Sequence, residues 1–146
     1  MALGHQDGTI TLNLAANSAS SSVLPMLPAH AAADPESRYI GSENVDLRTL
    51  DSVEKDFVTK AERIFLKLDV QGFEHKVLQG AEEFLNRVLG IQIELSLLPL
   101  YEGEHLFDPM LHYLEDLGYD LWSVIPGFVD PATSRLLQVD AIFFRK

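Results

Sequence analysis

The fold of this chain is decided by residues 64–74, which read Ile-Phe-Leu-Lys-Leu-Asp-Val-Gln-Gly-Phe-Glu. Residues 64–70 form an apolar run that only Lys67 and Asp69 interrupt, a pattern typical of a strand covered on both faces in a parallel sheet. Gly72 ends this strand. Residues 74–89 then place apolar side chains at helical spacing, and Gly90 stands where a C-terminal cap would lie. The stretch therefore predicts a strand followed by a helix with one buried face.

The downstream sequence continues the alternation of strands and helices. Residues 91–95 predict a second strand, and Asp108 as N-cap with Pro109 in the first turn predicts a second helix that Gly118 ends. A third strand follows at residues 119–125, then a long loop at 126–137 and a last strand at 139–145. Because the last connection lacks a helix, we expect an α/β fold with a mixed, mostly parallel sheet and an antiparallel last strand.

The first 44 residues carry weaker signals. Residues 9–14 alternate polar and apolar side chains after the Asp7-Gly8 turn signal, which predicts a half-buried strand. Residues 15–44 are rich in Ala, Ser and Pro without a steady period, which favours a loop or surface linker. Residues 9–33 carry no charged side chain but are too polar to span a bilayer, and no basic segment precedes them as in a signal peptide. We therefore expect a cytoplasmic protein.

Composition excludes several function classes. The chain has 146 residues, 22 acidic against 11 basic side chains, a formal net charge of −11 and no Cys. Without Cys there is no disulfide framework, zinc finger, iron–sulfur site or cysteine nucleophile. The acidic balance and the lack of a basic cluster argue against nucleic acid and anionic membranes as partners. A chain of this length is expected to form one domain.

Three carboxylates are expected at one rim of the sheet. Asp69 and Glu94 close consecutive strands, and Asp140 opens the reversed last strand, so all three fall at the carboxyl end of the parallel strands, where open α/β sheets bind ligands. Asp69 has the alternative role of capping the next helix or stabilising its turn. Glu94 has the alternative of a structural salt bridge to Lys67 or Arg135. Asp140 has a structural alternative as well.

The histidines show no metal-ligand spacing. His105 follows the second strand on the rim side and is a possible general base, whereas the other four are expected to be ordinary surface or helix histidines. The sequence also lacks a Gly-x-Gly-x-x-Gly loop and a Gly-x-Ser-x-Gly elbow. Motifs therefore point to no nucleotide site and no serine nucleophile.

Several segments together resemble the FkbM family of S-adenosylmethionine-dependent methyltransferases. The most specific is Lys-x-Asp-Val-Gln-Gly-x-Glu at residues 67–74. The similarity continues in Ile-Gln-Ile-Glu-Leu-Ser at 91–96, Pro-Leu-Tyr-Glu-Gly at 99–103 and Leu-Leu-Gln-Val-Asp-Ala at 136–141, and the Ala-Leu-Gly at 2–4 with Asp7-Gly8 is similar to the family's turn after its third strand.

The resemblance implies a Rossmann-like methyltransferase fold with strand order 3-2-1-4-5-7-6 and strand 7 antiparallel. Residues 64–70, 91–95, 119–125 and 139–145 would be strands 4 to 7. The family's Gly-rich loop after strand 1 and acidic residue after strand 2 have no counterpart here, so the resemblance implies a single, N-terminally truncated domain over residues 1–146. Its parts would be the strand 3 turn and a following strand (1–14), a loop-rich segment (15–60) and strands 4 to 7 with their helices (61–146).

The resemblance also implies roles for individual residues. The function expected is O-methylation of a hydroxyl on a sugar, polyketide or similar small metabolite with S-adenosylmethionine as cofactor, and no metal. The loop at 126–137 would help to shape the acceptor pocket. The residues implied are Leu3, Gly4, His5, Asp69 and Gln71 for the cofactor, Asp69, Glu94 and His105 for catalysis, and Tyr101, Glu102 and Asp140 for the acceptor.

Two other functions remain open from the sequence. A non-catalytic α/β module that oligomerises would explain the absent cofactor segments, and a carboxylate-bound metal enzyme would rest on the three rim carboxylates alone. Without strand 1, residues 64–70 would form an apolar sheet edge. We expect this edge to pair either with residues 9–14 folded back or, preferably, with a second copy in a homodimer.

Overall fold

A computed structural model describes residues 1–58 and 63–146 as a mixed α/β protein with two sheets. The expected boundary between the loop-rich segment (15–60) and the segment with strands 4 to 7 (61–146) falls on residues 59–62, which lie outside the described residues. Within the described part, no helix combines the length and apolar character needed to cross a bilayer.

The strands are β1 (Ala2–Leu3), β2 (Gly8–Ala15), β3 (Tyr39–Arg48), β4 (Ile64–Leu68), β5 (Val88–Ser96), β6 (Tyr119–Pro126) and β7 (Gln138–Arg145). The helices are α1 (Pro28–Ala33), α2 (Leu50–Phe57), α3 (Glu74–Gln79), α4 (Glu82–Leu85) and α5 (Phe107–Asp116), with a 3₁₀ turn at Pro35–Ser37.

The larger sheet has the order β4-β5-β7-β6, which is the order expected for the last four strands. β4 and β5 are parallel, and β7 runs antiparallel to both β5 and β6. One face of this sheet carries the main core, in which Ile91, Ile93, Leu114 and Phe143 have no solvent exposure. The mixed sheet and its reversed last strand are therefore confirmed.

The smaller sheet corrects the view that residues 15–44 are a loop. β3 pairs along its length with β2 and, in parallel, with β1, and α1 also falls in the expected loop. Most side chains of β3 are exposed, with Leu47 alone fully inside, so the strand has no clear apolar alternation. The pairing of β2 with β3 also means that residues 9–14 do not fold back on β4.

The helix expected at residues 74–89 is two short helices, α3 and α4. The break comes at Gly80, where an added Cβ would lie 2.0 Å from the carbonyl oxygen of Gly4. Asp51 then accepts the N–H groups of Glu83 (3.1 Å) and Phe84 (2.7 Å) at the start of α4. Gly90, expected as a helix cap, lies inside β5 instead.

Two local expectations are also wrong. Leu106, not Asp108, occupies the N-cap of α5, and it makes no side-chain cap, so Asp108 lies exposed in the first turn. β4 is not covered on both faces, because Phe65 is 51% exposed. Among the described residues, β5 is its only neighbouring strand. As expected, β4 is an edge strand.

Candidate functional site

The three carboxylates meet as the sequence predicts. Leu68 lies beside Ile93 across the parallel β4–β5 pair, which brings the next residues, Asp69 and Glu94, to the same level. Glu94 is also directly opposite Asp140 in the antiparallel β5–β7 pair. Each strand contributes one carboxylate to this rim because the reversed β7 begins where β5 ends.

Amide side chains hold the carboxylates together. Gln71 donates through Nε2 to Asp69 Oδ1 (2.9 Å) and to Glu94 Oε2 (3.0 Å). Gln138 donates to the same Glu94 oxygen (3.0 Å), and Gln92 donates to Asp140 Oδ1 (3.0 Å). The rim is therefore a network of carboxylates and neutral donors. We call Asp69, Gln71, Glu94, Gln138 and Asp140 the rim cluster.

Glu94 has the electrostatics of a proton-transfer group. Burial, followed by the nearby charges of Asp69 and Asp140, raises its pKa to about 7. The ion pair expected as its structural alternative is absent from the described residues: Lys67 Nζ instead contacts Asp69 Oδ2 at 3.2 Å. A carboxyl with this pKa changes its protonation state near neutral pH.

Asp69 has only part of the structural role that was its alternative. Phe73 is the N-cap residue of α3 and there is no side-chain cap, so Asp69 does not cap the helix. Asp69 does bond to the turn through the Gln71 amide, but the backbone of the turn is held by Glu74, whose Oε1 accepts the N–H groups of Val70 (3.0 Å) and Gly72 (3.3 Å). Glu74 is buried, and burial raises its pKa to about 7.

The residues expected to bind the cofactor divide into two groups. Leu3 and Asp69 line one groove of about 180 Å³ between the start of the chain and the rim, together with Val70 and Phe73. Gly4 is buried, with its N–H bonded to the Arg48 carbonyl (2.9 Å), and is not a free wall of that groove. His5 is exposed.

The residues expected to bind the acceptor also lie in different surroundings. Tyr101 is fully buried and its hydroxyl donates to Gln71 Oε1 at 2.7 Å, so it supports the rim from behind. Glu102 is exposed. The loop at 126–137 does border a cavity of about 380 Å³, which α1 closes on the other side. The cavity lining comprises Ala29, Ala32, Ala33, Leu98, Asp130, Ala132, Thr133, Arg135 and Leu137.

His105 does not join the rim cluster. It is exposed, and its ring stacks on that of His75 with centroids 3.8 Å apart. Within residues 1–58 and 63–146, no hydrogen bond or ion pair connects it to the three carboxylates, so its role as a base stays a prediction without a supporting contact. His75 lies on α3 as expected, whereas His30 is buried on α1, inside the segment expected to be a loop, and each has a buried Nδ1 with no partner in the described part.

Sequence reasoning missed the donors that organise the site. Glu74, Gln92 and Gln138 were each quoted only as part of a motif. The alternation of Gln92 and Gln138 with the core residues of β5 and β7 was a usable signal, because polar side chains two residues apart share a sheet face. No three His, Asp or Glu side chains in the described ranges are arranged to hold a metal ion.

Comparison with known proteins identifies a family. The model of the methyltransferase FkbM domain matches residues 1–121 of this chain. The match includes Asp69, Gln71 and Glu94, whereas Gln138 and Asp140 lie beyond it. No curated protein and no solved structure matches the chain. The match does not favour the alternative of a non-catalytic module.

Proposed function

Since the chain belongs to the FkbM methyltransferase family, we propose that it transfers a methyl group from S-adenosylmethionine to a hydroxyl oxygen of a small metabolite such as a sugar or polyketide. We extend the proposal to the fold, taking β4 to β7 as the second half of a Rossmann-like sheet. The observation that carries the proposal is Glu94, a half-buried carboxyl with a pKa of about 7 beside two further carboxylates.

Methyl transfer to a hydroxyl requires a group that takes up the hydroxyl proton. S-adenosylmethionine, when bound, supplies the electrophilic methyl group. A base with a pKa near the working pH is the most effective proton acceptor, and the pKa of Glu94 meets this condition. Asp69 and Asp140, on either side of Glu94, add negative charge that favours proton uptake. The acceptor hydroxyl therefore has to lie within hydrogen-bond reach of Glu94.

The groove beside Leu3 and Asp69 fits part of the cofactor. Its apolar walls at Leu3, Val70 and Phe73 suit a flat base, and Asp69 provides a hydrogen-bond acceptor at its edge. Its volume of about 180 Å³ is below the roughly 300 Å³ at which pockets for complete drug-sized ligands begin. The groove therefore accounts for the adenine side of the cofactor, with Leu3 and Asp69 as the residues that would hold it.

The cavity between α1 and the 126–137 loop is the proposed acceptor site. Its wall residue Leu137 directly precedes Gln138, which donates to Glu94, and this proximity along the chain is the reason for placing the acceptor there. Its floor is alanine and leucine, which favours an acceptor with an apolar body. Arg135 at its border offers a cation to a polar substituent.

A transfer assay tests the proposal. The 146-residue chain is incubated with millimolar methyl-labelled S-adenosylmethionine and a panel of sugar and polyketide alcohols, and labelled product is quantified. We expect transfer to an alcohol that falls at least about tenfold in Glu94→Gln, because general-base catalysis contributes about 10²-fold or more. Glu115→Gln, on the exposed side of α5, is the matched control and keeps full activity. No transfer to any acceptor at saturating cofactor would refute the proposal.

A further inference from the structure

Gln71 is held in a conformation that its residue type rarely adopts. Its φ is 55°, in the left-handed region, and Gly72 follows with φ 93°. Such a conformation persists only where the surroundings enforce it. Ser22 Oγ donates to the Gln71 carbonyl (2.7 Å), and Glu74 accepts the N–H groups on both sides of Gln71. The backbone is thus fixed so that the side chain points into the rim cluster.

Both ends of the Gln71 amide are used. Oε1 accepts the Tyr101 hydroxyl at 2.7 Å, while the two protons on Nε2 go to Asp69 and Glu94. The Tyr101 hydroxyl has one proton, and the Gln71 contact is much shorter than the alternative contact to the Ser20 carbonyl at 3.3 Å. A flipped amide would turn its carbonyl oxygen toward two carboxylates, which is unfavourable.

The buried hydroxyl of Tyr101 is itself fixed. Glu104 Oε1 accepts the N–H groups of Leu100 and Tyr101, the latter at 2.9 Å, which locks the loop after β5. The Tyr101 ring also meets His30 edge to face, with centroids 5.1 Å apart. Tyr101 therefore presents its hydroxyl to Gln71 from a rigid base.

We propose that Tyr101 and Gln71 are positioning residues for the proton transfer: the Tyr101 hydroxyl fixes the orientation of the Gln71 amide, and the amide holds Glu94 so that Oε1 is its free oxygen. Both recorded hydrogen bonds of Glu94, from Gln71 and Gln138, end on Oε2, and no other described residue donates to Oε1. Oε1 is thus the atom that takes the proton. This inference rests on the proposed function, in which Glu94 is the base.

Other charged groups also face Glu94 and contribute to its pKa in the wild type and in the variants alike. Asp69 and Lys67 face it from β4 and the turn that follows, Asp140 from β7, and Glu74 from α3. None of these is altered by a change at Tyr101. A change in Glu94 titration after such a substitution therefore reports the hydrogen-bond path through Gln71.

The test is a carbon-detected NMR titration of Glu94 in the complete chain with labelled Glu side chains, the resonance being assigned through Glu94→Gln. An N–H donated to the ionised carboxyl lowers its pKa, so losing that donor raises the titration midpoint. We expect the midpoint to rise by about one pH unit in Gln71→Met and by about half a unit in Tyr101→Phe.

Tyr119→Phe is the matched control. Tyr119 is also fully buried, and its hydroxyl lies within hydrogen-bond distance of the backbone carbonyls of Leu85 and Val88, at the opposite end of β5 from Glu94. Its loss should lower stability without moving the Glu94 midpoint. An unchanged midpoint in both Gln71→Met and Tyr101→Phe, or an equal rise in Tyr119→Phe, would overturn the inference. Because the titration needs no methyl transfer, failure of the transfer assay alone would refute the proposed function and not the positioning roles.

Discussion

Gly80→Ala tests the contact that joins the start of the chain to the break between α3 and α4. The Cβ of alanine at this position would lie 2.0 Å from the carbonyl oxygen of Gly4 and 3.1 Å from Thr49 Cγ2. Since Cβ atoms do not approach other heavy atoms closer than about 3.0 Å, one of the two segments has to move by about 1 Å. Gly4 resists this movement because its N–H is bonded to Arg48 and β1 is paired with β3.

The expected loss of stability follows from the type of atom that the added Cβ would meet. Overpacking a folded interior costs about 1 to 3 kcal/mol, and a backbone neighbour belongs at the upper end because it has no alternative rotamer. A Gly-to-Ala change also lowers the conformational entropy of the unfolded chain, which stabilises the folded state by about 0.4 to 1 kcal/mol. We therefore expect Gly80→Ala to lower the free energy of unfolding by about 2 kcal/mol.

Urea unfolding followed by circular dichroism measures this difference. Gly41→Ala is the matched control, because nothing lies within 4 Å of an added Cβ there. It should leave the midpoint unchanged or raise it slightly, as alanine is better than glycine inside a strand. Equal midpoints for Gly80→Ala and Gly41→Ala would refute the reasoning.

Four further predictions follow from the site and the fold. The free energy of unfolding of Glu94→Gln should increase relative to that of the wild type as the pH rises from about 5 to 7, because the raised pKa of Glu94 makes its ionisation cost stability in that range. Urea midpoints of both proteins at pH 5 and 8 check this. An equal difference between the two proteins at both pH values would contradict it. Asp51→Ala removes the acceptor of two backbone N–H groups at the start of α4 and costs about 1 kcal/mol by the same assay, whereas the exposed Asp46→Ala costs nothing measurable. Calorimetry should find S-adenosylmethionine binding weaker than micromolar, because the 146 residues contain no Gly-x-Gly-x-x-Gly loop; micromolar affinity would refute this. Sedimentation should detect a dimer paired through the edge of β4 that has no neighbouring strand among the described residues, and a monomer at micromolar concentration would exclude it.

The strands that the sequence predicted share a strong local signal. β5 and β7 read as nearly continuous apolar runs, because both lie inside the sheet and their core faces are fully buried. β3 was missed because most of its side chains are exposed and its existence depends on pairing with β2. The break between α3 and α4 was missed for a related reason, since the Gly4 carbonyl and the Asp51 carboxylate that define it are distant in sequence.

The candidate site was predictable in its acids and not in its donors. Asp69 and Glu94 were found because each ends an apolar run, a position that the sequence alone reveals. The hydrogen bonds of Gln71 depend on a positive φ and on the register between β4 and β5, neither of which local sequence specifies. The burial of Tyr101 likewise follows from packing with Ala33 of α1 and Leu137 of the 126–137 loop, which come from distant parts of the chain.

The use of amides in place of cations at this rim has a chemical consequence. An arginine or lysine bonded to Glu94 would hold its pKa well below neutrality and make it a weak base. Gln71 and Gln138 satisfy the same carboxyl oxygen without adding positive charge, and Lys67, the one cation of the described residues that forms an ion pair at this rim, is bonded to Asp69. Glu94 can therefore be both hydrogen-bonded and able to gain a proton near pH 7. This combination is what proton removal from an acceptor hydroxyl requires. It also explains why replacing either amide donor should change the titration midpoint of Glu94 even where the fold stays intact.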